Sequence, residues 1–395
     1  MKTVLFAYHT SSIGGGSFCL LNLLRSLDRN IIKPIVLLKE DGPLSEELHK
    51  LNIPTYFFPL MSTVPYNSSL FTPNGLRKVF SIILGRRKYK KILGMIKPDI
   101  VYANTMMLYH LLKPSQDFGC KTVVHIREHW PEDEHVIQRK FAIKSILNHS
   151  DSIVAINQYS ASMVENPKIP VTIVYDWIDL SQRFKPFSMS DVFEENVEGK
   201  KIFLYMGGMQ SIKGAHEVLI SFSKIINSPD ARLLVMGIDK NRKPPRNLKN
   251  TLKKVLQIFG YKSYSTAVYD AIVSDSRIKC IPSIYEVNEI IRQSYCILSY
   301  FTIPHANLAL AESIILGTPS IAANTPESIE YSYNGRLASL FEINNLTDFE
   351  EHLQRIDEIR PQIMDRILKE KENIQIMFDP KSNSDKINNL IKSLI

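Results

Sequence analysis

The chain has 395 residues, 44% of them apolar and 22% charged, and a formal net charge of +8. That length exceeds one ordinary core and suits two α/β domains, while the composition excludes a disordered or fibrous chain. No stretch is long and apolar enough to cross a bilayer, and Met1 to His9 runs into Gly-rich sequence without a small-residue cleavage site, so a cytosolic first strand is expected.

Thr3 to Tyr8 reads as the first strand, and Ser17 to Leu27, with leucines at helical spacing, as the helix after it. Short apolar strands are expected at Lys33 to Leu38, Pro98 to Ala103, Lys121 to Ile126 and Asp151 to Ile156, with Val171 to Tyr175 closing the series. Repeated βα units imply a parallel sheet covered on both faces. The polar segment from Asp179 to Lys200, which contains Pro186, ends this half. A second series follows at Lys201 to Met206, Ala231 to Met236, Arg277 to Ile281, Tyr295 to Tyr300 and Pro319 to Ala323. The expected domains are 1–183 and 184–370, with a helical tail at 371–395 that can pack back on the first.

Cys19, Cys120, Cys280 and Cys296 lie scattered in apolar stretches without metal-ligand spacing and read as buried thiols of a reducing compartment. The segment from Leu76 to Lys97 carries Arg77, Lys78, Arg86, Arg87, Lys88, Lys90, Lys91 and Lys97 and no acidic residue. An amphipathic basic helix can lie on an anionic membrane surface, and a core-packed helix with a solvated charged face fits equally well. Nucleic acid is not expected, because the segment lacks a reading motif and interleaved aromatics.

In open α/β sheets ligands sit beyond the carboxyl ends of strands, which directs attention to the loops there. After the first strand, Gly14, Gly15 and Gly16 allow close backbone approach and open a helix, although an isolated triplet is also an ordinary turn. His125-Ile-Arg127-Glu128-His129 offers an imidazole to orient a hydroxyl or move a proton, beside a guanidinium and a carboxylate. His125, His129 and His135 with Glu128, Glu132, Asp133 and Glu134 also suggest a metal site. Trp130-Pro131 interrupts the helix that such spacing needs, so a structural role for His129 and His135 is preferred.

Among the second-half loops, Tyr205 to Gly214 contains Gly207, Gly208 and Lys213, and a lysine there can neutralise a departing diphosphate. Lys240, Arg242 and Lys243 could add positive charge, or form a solvated surface loop. From Phe301 to Ala322 a Pro-His-Ala-Asn turn leads into a short helix and then an apolar strand, with Glu312 inside the helix. Glu327 and Glu330 read as a turn and an exposed helix start. No paired carboxylates of glycosidase type and no Gly-x-Ser-x-Gly elbow occur.

The run from Phe301 to Ala322 resembles the donor-site signature of retaining glycosyltransferases of the family 4 (glycosyl transferases group 1) type. Glu312 stands at the second of that family's two glutamates, Pro304 at the first, and His305-Ala306-Asn307 replaces Gly-aromatic-Gly. Lys213 matches the lysine of the family's Gly-Arg…Lys-Gly pattern, and Gly208 takes the place of the arginine. Ile284 to Gln293 resembles the helix before the donor loop, and Tyr175 to Asp179 the closing Asn-Gly-Val-Asp segment, with Asp179 matched.

The resemblance implies a GT-B fold, two Rossmann-like domains whose parallel sheets face a central cleft. It implies a nucleotide-sugar donor held by Gly207, Gly208, Lys213, Ile284, His305, Ala306, Asn307, Leu308 and Glu312, with Glu312 on the ribose. The acceptor side comprises Gly14, Gly15, Gly16, Asn104, Arg127 and Glu128, and the catalytic set His125, Lys213 and Glu312. Retention of configuration without a metal or other cofactor is implied as well. The expected acceptor is a saccharide, lipid-linked at the inner face of the cytoplasmic membrane. A catalytically silent binding subunit is the alternative, and a sugar-nucleotide epimerase of the same fold a third reading.

Overall fold

The computed structural model describes residues 1–64, 69–133, 135–164, 168–180, 185–238 and 263–394. It divides into two units, Met1–Trp177 with Phe378–Ile395, and Ile178–Met377. Glu134, Lys240, Arg242 and Lys243 lie outside the described residues.

In the first unit the strands are β1 (Lys2–Tyr8), β2 (Ile32–Leu38), β3 (Thr55–Phe57), β4 (Ile100–Ala103), β5 (Lys121–Ile126), β6 (Ser152–Ala155) and β7 (Val171–Ile173). They form a sheet of order β3-β2-β1-β4-β5-β6-β7, every described pair parallel. The connecting helices are α1 (Gly15–Arg25), α2 (Pro43–Lys50), α3 (Pro73–Ile96), α4 (Leu112–Asp117), α5 (Val136–His149) and α6 (Gln158–Ala161). Helices cover both faces, which is why β1 is apolar from Val4 to Ala7 and those residues are fully buried. β1 pairs with β2 on one side, Val4 opposite Pro34, and with β4 on the other, Val4 opposite Ile100. The strand order therefore reverses between β1 and β4, the point at which doubly wound sheets open a crevice.

The second unit repeats this plan with β8 (Lys201–Tyr205), β9 (Ala231–Met236), β10 (Ile278–Ile281), β11 (Cys296–Ser299), β12 (Ser320–Ala323) and β13 (Ser339–Phe341). Their order is β10-β9-β8-β11-β12-β13, again parallel, with the reversal between β8 and β11. Its helices are α7 (Met189–Phe193), α8 (Ala215–Ile225), α9 (Tyr264–Ser274), α10 (Asn288–Gln293), α11 (Leu308–Leu316), α12 (Pro326–Tyr331), α13 (Leu346–Gln354) and α14 (Ile356–Met377).

The chain ends in α15 (Pro380–Ser393), which belongs to the first unit. Asp379 caps it, accepting from the Ser382 amide at 2.6 Å, and Pro380 fills the first helical position. Ile387 and Ile391 enter the core around β1 and α1, while Asn388 donates to the Ser26 carbonyl at 3.1 Å and accepts from the Asp28 amide at 3.0 Å.

The expected parallel α/β sheets are present, with local differences. β3 and β13 have three residues each, too few to show a period in sequence. α10 begins at Asn288, so Ile284 to Val287 form a loop where helix was expected. No described helix is long and apolar enough to cross a membrane.

Candidate functional site

Buried polar side chains gather at the carboxyl ends of β1, β4 and β5 in the first unit. Asn104, immediately after β4, is fully buried, and among the described residues neither its amide nitrogen nor its oxygen has a hydrogen-bond partner. His125, on β5, places Nδ1 3.0 Å from the Tyr102 hydroxyl, and its Nε2 has no partner among the described residues. Glu128 accepts at Oε1 from the Thr105 hydroxyl at 2.6 Å, and its Oε2 has no partner among the described residues. His9, just beyond β1, likewise keeps Nδ1 buried and unsatisfied.

Arg127 is the charge common to the group. It pairs with Asp176, their side chains only 10% and 16% exposed. Burial works to strip the guanidinium of its proton, and Asp176 outweighs it, so Arg127 stays charged. Its field reaches Tyr8, His9, Tyr102, His125 and Glu128 alike. Burial, reinforced by Arg127, pushes His9 down to about 4 and holds His125 well below the ordinary imidazole range. Burial also raises the Glu128 carboxyl, against the Thr105 hydrogen bond. His125 is thus a neutral imidazole with one free nitrogen, suited to hydrogen-bonding a hydroxyl rather than to titrating near pH 7.

Of the other residues singled out there, Gly16 lies against Tyr8, whose hydroxyl an added Cβ would approach to 2.8 Å, while Gly14 and Gly15 face open space. The Gly14 amide already donates to the Ser17 hydroxyl at 2.7 Å. His129 stacks on Tyr159 with centroids 3.7 Å apart, and His135 adopts a left-handed conformation before α5. Among the described residues no three His, Cys, Asp or Glu side chains form a metal-binding group. His9 and Tyr102 were not anticipated. The only signal for His9 is its position one residue past the first strand.

In the second unit the candidate donor residues lie in the loops at the β8/β11 reversal. Gly208, Gly214 and Gly237 adopt positive φ of 64°, 65° and 91°. A Cβ on Gly214 would fall 2.3 Å from the Tyr300 ring, and one on Gly237 3.0 Å from the Gly208 Cα, so these loops are packed backbone to neighbour. The Thr302 amide donates to the Ile212 carbonyl at 3.0 Å, joining the loop after β8 to the loop after β11. The Tyr205 hydroxyl donates to the Lys213 carbonyl at 3.0 Å. Burial lowers the Lys213 ammonium, and among the described residues no carboxylate pairs with it.

Gly207 is equally constrained, since a Cβ there would meet the Tyr205 hydroxyl at 1.9 Å. Ile284 is partly buried in the loop after β10. His305 stacks on Phe301 with centroids 5.3 Å apart. Asn307 is buried and caps α11, its oxygen accepting from the Leu310 amide at 3.3 Å and from the Ser299 hydroxyl at 3.0 Å. Ala306 precedes this cap, Leu308 opens the helix, and Glu312 is 4% exposed on its second turn.

Glu327 departs from expectation. Rather than an exposed helix start it is 1% exposed, its Oε2 has no partner among the described residues, and burial pushes its carboxyl up to about 7. The cause is tertiary: Asn307 donates to the Ser328 hydroxyl at 3.2 Å, which draws the first turn of α12 against the start of α11.

Two parallel, doubly wound α/β units in one chain define the GT-B fold. Over its full length the chain is similar to Anabaena HepE in complex with UDP and glucose, at 16% identity and a TM-score of 0.73, covering 100% of that chain. It is also similar to sucrose-phosphate synthase from Thermosynechococcus elongatus (13% identity, TM-score 0.69, 100% and 99% covered) and to S. aureus MnaA with UDP (13%, 0.63, 100% and 98%). Residues 190–373, which include Lys213, His305 and Glu312, match the family model described as Glycosyl transferases group 1. No curated protein sequence matches the chain.

Proposed function

We propose that the protein is a glycosyltransferase that moves a sugar from a nucleotide-sugar donor, held by the second unit, to a saccharide acceptor held by the first. The observation that carries this reading is Lys213, a partly buried ammonium with no carboxylate partner among the described residues, in a glycine turn hydrogen-bonded to the loop that leads into α11. A partly desolvated cation is stabilised by an anion, and a nucleoside diphosphate supplies that charge. The family match over 190–373, and the UDP held by HepE and MnaA, support a nucleotide-sugar donor.

In the reaction the bond from the sugar C1 to the diphosphate oxygen breaks, and a bond from C1 to the acceptor oxygen forms. The nucleoside diphosphate leaves with the electron pair, and the acceptor hydroxyl passes its proton to the departing diphosphate oxygen. Lys213 stabilises the charge that grows on the leaving oxygen. His125 Nε2 and the Asn104 amide hydrogen-bond sugar hydroxyls, and Glu312 binds the ribose. Transfer proceeds with retention and without a resident metal. The acceptor is a lipid-linked saccharide of surface polysaccharide assembly, met at the cytoplasmic membrane face.

The test is binding and slow hydrolysis of a panel of nucleotide sugars, uridine first, by the native chain, Lys213→Ala and Glu312→Ala. Selective binding with hydrolysis reduced roughly a hundredfold in Lys213→Ala is expected. Failure of the folded native chain to bind any member favours the second reading, a silent GT-B binding subunit. That reading draws on Pro304 in place of a glutamate and on Gly208, whose positive φ disfavours the family's arginine.

A further inference from the structure

Helix α3 carries large apolar side chains on the side turned away from the protein. Gly75, Gly85, Tyr89, Ile92 and Leu93 are buried and mark its packed face. Leu76, Phe80, Ile83 and Leu84 recur at helical spacing on the opposite side and are 47%, 63%, 60% and 69% exposed. A helix that only packs on its own core presents polar residues there.

The stripe continues beyond the helix. Phe71, in the turn before α3, is 77% exposed, and Ile137 and Phe141, one turn apart on α5, are 68% and 70% exposed. Buried Gln138 of α5 accepts from the Leu70 amide at 2.8 Å, which ties the turn bearing Phe71 to the helical turn bearing Ile137. Gly75 fixes the same turn from the other side, since an added Cβ would fall 2.4 Å from the Leu70 Cα. Large apolar side chains left exposed on elements tied together in this way mark an interaction site.

Charge identifies the partner. Arg77, Arg86, Arg87, Lys88, Lys90 and Lys91 are exposed on the same helix, Lys140 and Lys144 on α5, and no acidic residue lies between 73 and 97. Among the described residues none of these six α3 cations forms an ion pair, so their charge is available to an outside surface. Exposed large apolar groups framed by unpaired cations match the boundary between phosphate headgroups and acyl chains.

We propose that this face of α3 and α5 docks on an anionic lipid bilayer, with Phe80, Leu84 and Phe141 entering the acyl boundary and Arg86, Arg87 and Lys88 meeting headgroup phosphates. The docking deepens the proposed function, bringing the chain to a lipid-linked acceptor, and rests on that reading only for its purpose.

The test is flotation of the full chain with vesicles of phosphatidylcholine alone and of phosphatidylcholine with phosphatidylglycerol. Binding to the anionic vesicles and not to the neutral ones is expected. Each basic residue near such a surface multiplies partitioning roughly fivefold, so Arg86→Gln/Arg87→Gln/Lys88→Gln should lose about a hundredfold. Phe80→Ser/Leu84→Ser should lose at least about tenfold. Thermal melting and nucleotide-sugar binding, unchanged in both variants, show that the fold and the donor site survive. Absent binding, equal binding to both vesicles, or variants that bind like the native chain overturn the proposal. So does a dimer in sedimentation velocity that Phe80→Ser/Leu84→Ser dissolves while vesicles are ignored. Donor binding without vesicle binding refutes the docking alone, and vesicle binding without donor binding refutes the transferase reading alone.

Discussion

Asp176→Asn removes the counter-ion of Arg127 while keeping nearly the same shape. The two side chains are 10% and 16% exposed, so the guanidinium left behind has little access to water. Breaking a buried pair by removing one partner costs about 3–5 kcal/mol, and the residual exposure places this case near the lower figure, about 3 kcal/mol. An exposed pair in the same unit provides the control. Lys381 and Asp385 on α15 are 84% and 53% exposed, and Lys381→Gln should leave stability almost unchanged. Both tryptophans, Trp130 and Trp177, lie in the first unit, so tryptophan fluorescence during denaturant unfolding reports on that unit. The expected result is a lowered midpoint with an unchanged slope for Asp176→Asn, and almost no shift for Lys381→Gln. A loss under about 1 kcal/mol in Asp176→Asn would refute the reasoning, since water would then be solvating Arg127 in place of its partner.

Three further outcomes follow from the geometry. Glu327 has a folded-state value of about 7 against an ordinary 4.5, so between these pH values the folded chain binds more protons than the unfolded one and stability falls as pH rises. Glu327→Gln should flatten that dependence and raise stability above pH 7 by on the order of 3 kcal/mol; unfolding curves across the window with the same slope in both proteins would contradict it. Gly214→Ala meets both a φ of 65° and the Tyr300 ring at 2.3 Å, and should destabilise the second unit by at least about 1–2 kcal/mol, measured by circular dichroism; a neutral result would mean that the loop can move away. His9, pushed down to about 4 by burial and Arg127, should show no imidazole titration by NMR near neutral pH, and a transition at the ordinary histidine value would count against the buried cluster.

Strand positions were legible because β1, β4, β5, β8, β9 and β11 are buried on both faces and read as continuous apolar runs. Glycine turns were legible for a similar local reason, Gly208 and Gly214 adopting conformations that other residues avoid. What stayed hidden depends on contacts distant in sequence. Thr-Pro-Glu signals only a helix start, and whether Glu327 meets solvent is decided by Asn307, 21 positions from the Ser328 hydroxyl it bonds. Arg127 and Asp176 are 49 positions apart, and nothing in either segment announces that the charge of one will be balanced by the other.

The two units place opposite demands on a ligand. Around Arg127 the chain buries hydrogen-bonding atoms and leaves several unanswered among the described residues: both side-chain polar atoms of Asn104, His125 Nε2, His9 Nδ1 and Glu128 Oε2. Each such atom costs about 1–3 kcal/mol until something hydrogen-bonds to it, so a molecule rich in hydroxyl groups gains there by returning what folding withheld. Around Lys213 the deficit among the described residues is of charge, a partly buried ammonium among backbone turns held close by glycine. A sugar answers the first demand and a diphosphate the second.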